Sequence, residues 1–159
     1  MKFILAPGSS SEVGDSVNIS NRLAGIEYKY FDPSEAIYSN LRILNFNWNG
    51  VQVELWNFLG VEAHNKQIPA VCFMDASGFI IVSNGAPIGL IERNNELFNS
   101  EAFPLLWLAN DNYYKTSREE EVLSDWNVEL VRYSSPSDSI IATEFTTWIT
   151  TVNLYLSRK

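Results

Sequence analysis

The dipeptide Asn49-Gly50 separates two alternating runs, residues 41–48 and 51–57. Asn-Gly between two such runs is the strongest short-range hairpin signal, because the favoured two-residue turn needs positive φ at both central positions. That turn fixes a register, with Trp48 opposite Val51, Phe46 opposite Val53 and Leu44 opposite Leu55. Opposed residues share a sheet face, so this face is apolar throughout. The other face pairs Asn47 with Gln52, Asn45 with Glu54 and Ile43 with Trp56. It is polar at the tip and apolar at the base. The pattern predicts an antiparallel hairpin whose tip protrudes beyond the body of a sheet.

Around this hairpin, apolar bursts alternate with amphipathic stretches. Residues 2–6 form a short apolar run that ends at Pro7-Gly8, which predicts a buried strand followed by a turn-forming loop over 9–14. A short helix is expected over 16–23, and loop over 24–39. Residues 60–76 carry mixed loop and helix signals. Further buried strands are expected at 78–83 and 103–108 and another strand at 127–133, with helices at 88–98 and, acidic in character, at 117–126. Ile141, Phe145, Trp148, Val152 and Leu156 recur at helical spacing, which predicts a terminal helix with one face in the core. Strands alternating with helices imply a mostly parallel sheet covered on both faces. The hairpin adds an antiparallel edge.

The chain has 159 residues, of which 46% are hydrophobic, enough for the core of one domain spanning 1–159. Five Trp, seven Tyr and nine Phe argue against disorder. A net charge of −8 opposes binding to phosphate backbones and to anionic membrane surfaces. No apolar run approaches the ~20 residues that span a bilayer, and the opening residues are too short for a signal-peptide core. A cytosolic chain is therefore expected. The only cysteine, Cys72, lies in an apolar stretch and reads as a small core residue. The single His64 has no ligand-spaced partners and reads as a surface or loop residue.

A parallel sheet with one early hairpin is the plan of Ras-like small GTPases. Leu41-Arg42-Ile43-Leu44-Asn45-Phe46 leads into Val53-Glu54-Leu55-Trp56-Asn57-Phe58-Leu59-Gly60. This resembles the strand that runs into the Asp-x-x-Gly motif of the second switch. With Ile68-Pro69-Ala70 and Asp75-Ala76-Ser77-Gly78 after it, the segment is most similar to the Rab-like small GTPase subgroup of the intraflagellar transport B complex. That subgroup carries an Arg-Ile-Leu strand, a Glu-Leu-Trp-Asp strand end, a Trp-Pro-Ala segment and an Asp-Ala-x-Gly strand start. Ile68 stands where its Trp would be. The resemblance covers residues 40–84, extends more weakly over 129–156, and before 40 rests on the order of elements alone. It implies a three-layer α/β fold of the P-loop small-GTPase type, with a mostly parallel six-stranded sheet and one antiparallel edge hairpin.

Against that family the nucleotide motifs are degenerate. A working P-loop reads Gly-x-x-x-x-Gly-Lys-[Ser/Thr]. Here five residues separate Gly8 from Gly14, and Asp15-Ser16 follows. Asp15 takes the place of Lys, or Glu12 does if the alignment starts at Ala6; either way an anion replaces the cation. Two like charges ~4 Å apart cost on the order of 4 kcal/mol at an effective dielectric of ~20. The magnesium-holding Asp of the second switch is Asn57, the water-orienting Gln is Val61, and Gly60 is retained. Asn110-Asp111-Asn112-Tyr113 stands in place of the guanine-reading Asn-Lys-x-Asp. The first-switch threonine has Ser34 and Ser39 as candidates. By resemblance, the residues of the decayed nucleotide site are Gly8, Ser11, Gly14, Ser16 and Gly60.

The resemblance therefore implies a pseudo-GTPase without catalysis, cofactor or metal. Its expected role is that of an interaction module docking on coiled-coil subunits of the intraflagellar transport B complex, in the cytoplasm and cilium or flagellum. The other reading is an atypical small GTPase that binds GTP or GDP with Mg²⁺ and switches its partners. Aromatic and apolar residues are natural contact anchors, which singles out Trp48, Phe58, Leu59 and Val61. Trp48 is read either as such an anchor or as a cap on the core. The last residues, Leu154 to Lys159, hold no Cys for prenylation. No direct membrane anchor is expected, and recruitment would come through a protein.

Overall fold

The Asn49-Gly50 turn forms with positive φ at both residues, 50° and 88°, as a two-residue hairpin requires. It joins β2, Leu41–Trp48, to β3, Val51–Phe58. Their register is Trp48↔Val51, Phe46↔Val53, Leu44↔Leu55, Asn47↔Gln52, Asn45↔Glu54 and Ile43↔Trp56, as the turn geometry predicts. The Asn47 side-chain oxygen accepts from the Gly50 amide at 2.9 Å and closes the turn. This computed structural model describes residues 1–25, 41–58, 68, 70–97, 102–113 and 123–158.

The hairpin is one edge of a six-stranded sheet of order β2-β3-β1-β4-β5-β6. The other strands are β1, Lys2–Pro7; β4, Ala76–Val82; β5, Leu105–Asn110; and β6, Val128–Tyr133. Every neighbouring pair except β2–β3 is parallel. Four α-helices lie among the described residues: α1, Val13–Leu23; α2, Ala70–Phe73; α3, Ile88–Asn94; and α4, Ser139–Ser157. None of the helices there is long and apolar enough to cross a membrane.

The interior strands are apolar on both faces because both faces are covered. Phe3 and Leu5 of β1, Ile80 and Val82 of β4, and Leu106 and Leu108 of β5 pack with Ile19 and Leu23 of α1 and with Ile141, Phe145 and Trp148 of α4. The alternate residues, Ile4, Ala6, Phe79, Ile81, Leu105 and Trp107, pack with Cys72 and Phe73 of α2 and Leu90 and Ile91 of α3. Burial pushes the Cys72 thiol up, with nearby Lys2 pulling it partly back. Gly78 is needed for this packing. A Cβ there would stand 2.6 Å from Cη2 of Trp148.

Several boundaries differ from the sequence expectation. α1 starts at Val13, before 16, because the turn at Ser10–Glu12 already brings Val13 and Val17 inward. β4 begins at Ala76, and β5 runs Leu105–Asn110, so both are displaced from the expected 78–83 and 103–108. α3 passes into a 3-10 turn at Asn95–Leu97. Buried Asn94 donates its side-chain amide to the Leu90 carbonyl at 2.8 Å and accepts from the Ile68 amide at 3.0 Å, competing with a continued helical ladder. In place of the acidic helix at 117–126, the described part is a 3-10 turn, Leu123–Asp125, with Trp126 past its end. Residues 114–122 and most of the expected loop at 24–39 lie outside the described residues.

The hairpin tip runs past the neighbouring strand, since β1 pairs with β3 only from Glu54 on, but one face of the tip is covered. The Trp48 indole donates to the Thr146 hydroxyl of α4 at 3.1 Å and meets the Phe145 ring edge-on at 5.1 Å between centroids. Helix α4 thus covers the apolar face of the tip. Its own start is fixed by Asp138, whose carboxylate accepts from the amides of Ser134 and Ile140 at 3.0 and 3.1 Å. Those hydrogen bonds hold the Asp138 carboxyl below its ordinary range.

Helix α4 also brings Glu144 against Glu129 of β6, and the two carboxyls share a hydrogen bond. Burial, then that bond and the neighbouring charge, raise Glu129 above the ordinary carboxyl range. A raised folded-state value means stability fully present below the ordinary Glu range and lost as pH rises through the raised value. Glu129→Gln is therefore expected to be more stable than the parent at pH 7, with the gain vanishing near pH 4. Solvent screening limits the gain to on the order of 0.5 kcal/mol. Denaturant melts of both proteins across that range check it, and a gain independent of pH would exclude the carboxyl pair as its cause.

Candidate functional site

In a doubly covered parallel sheet, ligands bind beyond the carboxyl ends of the strands, where the chain order reverses. Here that point lies beside β1: β3 packs on one side of it and β4 on the other. The loop after β1 enters with the Gly8 amide donating to the Val82 carbonyl at 2.8 Å. A Cβ on Gly8 would lie 2.5 Å from the Ser83 hydroxyl oxygen, so only glycine lets the loop lie this close to the end of β4.

From Gly8 the chain turns through Ser9, Ser10 and Ser11 into Glu12, which immediately precedes α1. Glu12 is 5% exposed although it is a carboxylate. The hydroxyls of Ser9 and Ser11 both donate to its Oε2, the latter at 2.7 Å. Its Oε1 accepts from the backbone amide of Asn84, just after β4, at 3.0 Å. Position at the amino end of a helix favours the negative charge further. These donors offset the desolvation that would otherwise make a buried carboxylate costly.

In the first turn of α1, the Asp15 carboxylate accepts from the Tyr133 hydroxyl at 2.7 Å and from the Asn110 side-chain amide at 3.4 Å. Burial of Tyr133, then its bond to Asp15 and the nearby Asp15 and Glu12 charges, push the phenol far above its ordinary range. It stays a protonated donor throughout the physiological range. Asn84 and Asn110 are tied in turn, with the Asn84 side-chain oxygen accepting from the Asn110 amide at 3.3 Å. The ends of β1, β4, β5 and β6 are thus linked by a polar network around two carboxylates.

A second cluster lies beneath it. The Ser16 hydroxyl donates to the side-chain oxygen of Asn57 at 2.9 Å, and the Asn57 amide donates to the Ser20 hydroxyl at 3.1 Å. Ser16, Ser20 and Asn57 are each 0% exposed. They clasp α1 to the end of β3 with neutral groups.

Of the residues singled out in the sequence, Gly8, Ser11, Gly14 and Ser16 fall together at the β1–α1 connection. Gly8 is a close-approach residue, Ser11 binds Glu12, and Ser16 faces Asn57 rather than an open cleft. Gly60, Leu59 and Val61 lie outside the described residues, as do His64, Ser34 and Ser39. Phe58 corrects the expectation of an exposed anchor: it is 9% exposed and belongs to the core under α2 and α3. Its side of β3 faces the covered half of the sheet, which decides its burial. Trp48 is half-buried and serves as a cap over Phe145. In the 110–113 segment, Asn110 is buried, Tyr113 is 70% exposed, and Asp111 lies 3.7 Å from Arg132. Among the described residues no group of three His, Cys, Asp or Glu is placed to hold a metal ion.

In the sequence, Glu12 stands out only as an alternative to Asp15 at the place where the resembled family has its lysine. The Ser9-x-x-Glu12 spacing is that of a capping box, in which each side chain would bond a backbone amide; here the Ser9 hydroxyl bonds the Glu12 carboxylate instead. Tyr133 and Asn84 gave no local signal, because their partners lie far away in sequence. Comparison with models of known protein families and with curated proteins finds no match.

Proposed function

We propose that this chain is a pseudo-GTPase: a small-GTPase-like domain that does not hydrolyse GTP and acts as a protein-interaction module. Following the sequence resemblance, its place is the intraflagellar transport B complex, docked on coiled-coil subunits, in the cytoplasm and cilium or flagellum. The sheet order and the single antiparallel hairpin fit the small-GTPase plan. The observation that carries the absence of catalysis is the loop after β1. Where a phosphate-binding loop points its donors at a ligand, here Ser9 and Ser11 of the loop, with the Asn84 amide beyond β4, point at Glu12. Ser16 and Asn57, which the family would use around Mg²⁺, are bonded to each other.

Isothermal titration of the chain with GTP and with GDP, each with Mg²⁺, tests the first half. No heat of binding is expected up to millimolar ligand, whereas a micromolar Kd would establish the atypical-GTPase reading instead. Affinity capture followed by mass spectrometry tests the second. Coiled-coil subunits of the transport complex are expected among the captured proteins, and a partner set without ciliary proteins would remove the assignment to that complex.

A further inference from the structure

We propose that Glu12 is a resident anion: its carboxylate plugs the anion cradle of the β1–α1 loop and latches that loop to the end of β4. The inference rests on the reading that the site takes no nucleotide, and it names what fills the site instead. An ionised carboxylate accepts hydrogen bonds only, as does a phosphate oxygen. Three donors converge on this one from two elements: the Ser9 and Ser11 hydroxyls on the loop, and the Asn84 backbone amide beyond β4. Glu12 directly precedes α1 but makes no side-chain cap bond to it, so the side chain's donors come from the loop and from beyond β4, and the residue is 5% exposed. Gly8 permits the close approach that brings loop and strand together, since its Cβ would meet Ser83.

The plug has a structural consequence. A loop that needs a phosphate to order it has two states, with and without ligand. A loop that carries its own anion has one. Asp15, three residues on, adds a second carboxylate, held by Tyr133 and Asn110, and both charges act on the Tyr133 phenol. Together the two charges repel a second anion. The loop and the face around it are then constant, as suits a subunit that docks without a nucleotide cycle.

Two variants test this. Glu12→Gln keeps the side chain's size and an acceptor for the Asn84 amide, but loses the charge and one of the two acceptor oxygens. Backbone amides over 9–14 are expected to exchange with solvent about tenfold faster than in the parent, with the interior of β4 unchanged. The double variant Glu12→Ala/Asp15→Asn vacates the cradle and removes the second charge. Raising inorganic phosphate at constant ionic strength should lift its Tm by about 3 °C while leaving that of the parent unchanged. Unchanged exchange in Glu12→Gln overturns the latch whether or not the double variant folds. A folded double variant that ignores phosphate overturns the cradle. Neither result depends on the parent's response to GTP, so failure of the plug is distinct from failure of the nucleotide-free reading.

Discussion

Trp148→Ala is expected to lower the stability of the fold by about 3–5 kcal/mol, or roughly 10 °C in Tm. Trp148 is 1% exposed and centres the packing of α4 on the sheet. Its ring lies 5.1 Å from that of Phe3 and 6.2 Å from that of Phe145 between centroids. Below it, Gly78 of β4 leaves the gap that Cη2 and Cζ2 enter. The indole Nε1 has no hydrogen-bond partner, so Trp148→Phe should cost clearly less than the alanine change. The reciprocal substitution, Gly78→Ala, puts a methyl 2.6 Å from Cη2 and 3.2 Å from the Pro104 carbonyl oxygen. Phe3 and Phe145 hold the ring from other sides, so it cannot swing away freely. A cost of about 1–3 kcal/mol follows from such overpacking. In the double variant the new methyl has no ring to strike, and the combined loss should fall short of the sum by ~1 kcal/mol or more. Urea denaturation of the four proteins in the cycle measures this. Additive losses would mean that the two residues do not constrain each other.

Asn57→Asp is expected to cost about 2–4 kcal/mol at pH 7, because it places a carboxyl at a position with no exposure between two hydroxyls. Ser16 donates to the existing oxygen, but the amide that now donates to Ser20 would be lost. Burial disfavours the charged form, so the folded-state pKa of the new carboxyl lies above its unfolded value. The variant should then approach the parent's stability below the ordinary Asp range and fall away as pH rises through the raised value. The same substitution places an acid where the sequence resemblance aligns the one that small GTPases use around Mg²⁺. If Ser16 and Asn57 form a sealed structural clasp, millimolar Mg²⁺ will not rescue the variant at pH 7. Rescue by Mg²⁺ beyond the effect of an equal ionic strength of NaCl would reveal a latent metal site and weigh against the pseudo-GTPase reading.

Both experiments act on contacts that join segments distant in the chain, and this is where the sequence and the tertiary structure part. The hairpin was legible because everything that defines it is local. Asn49-Gly50 sets the turn, and alternation on either side sets the register. The terminal helix was legible for the same reason, since Ile141, Phe145, Trp148 and Val152 repeat at its period. The interior strands announced themselves as apolar runs, although their ends moved by a few residues where neighbours decided the pairing. The acids Glu12 and Asp15 in and after the loop that follows β1 could also be read directly.

What the sequence could not supply was the destination of each apolar face and each polar group. Periodicity shows that Phe58 and Trp48 have apolar neighbours in the chain, not whether a helix covers them. In the fold Phe58 is buried in the core, and Trp48 caps Phe145 of α4 and donates to Thr146, 98 positions away. The loop after β1 shows the division most clearly. Ser9, Ser11 and Glu12 lie within one turn of each other, so their meeting was written locally. The Asn84 amide that completes the carboxylate's shell comes from 72 positions away, and the Tyr133 hydroxyl on Asp15 from 118. Sequence determined that this site carries negative charge of its own. Only the sheet, by setting the ends of β1, β4, β5 and β6 side by side, supplied the donors that let that charge be buried there.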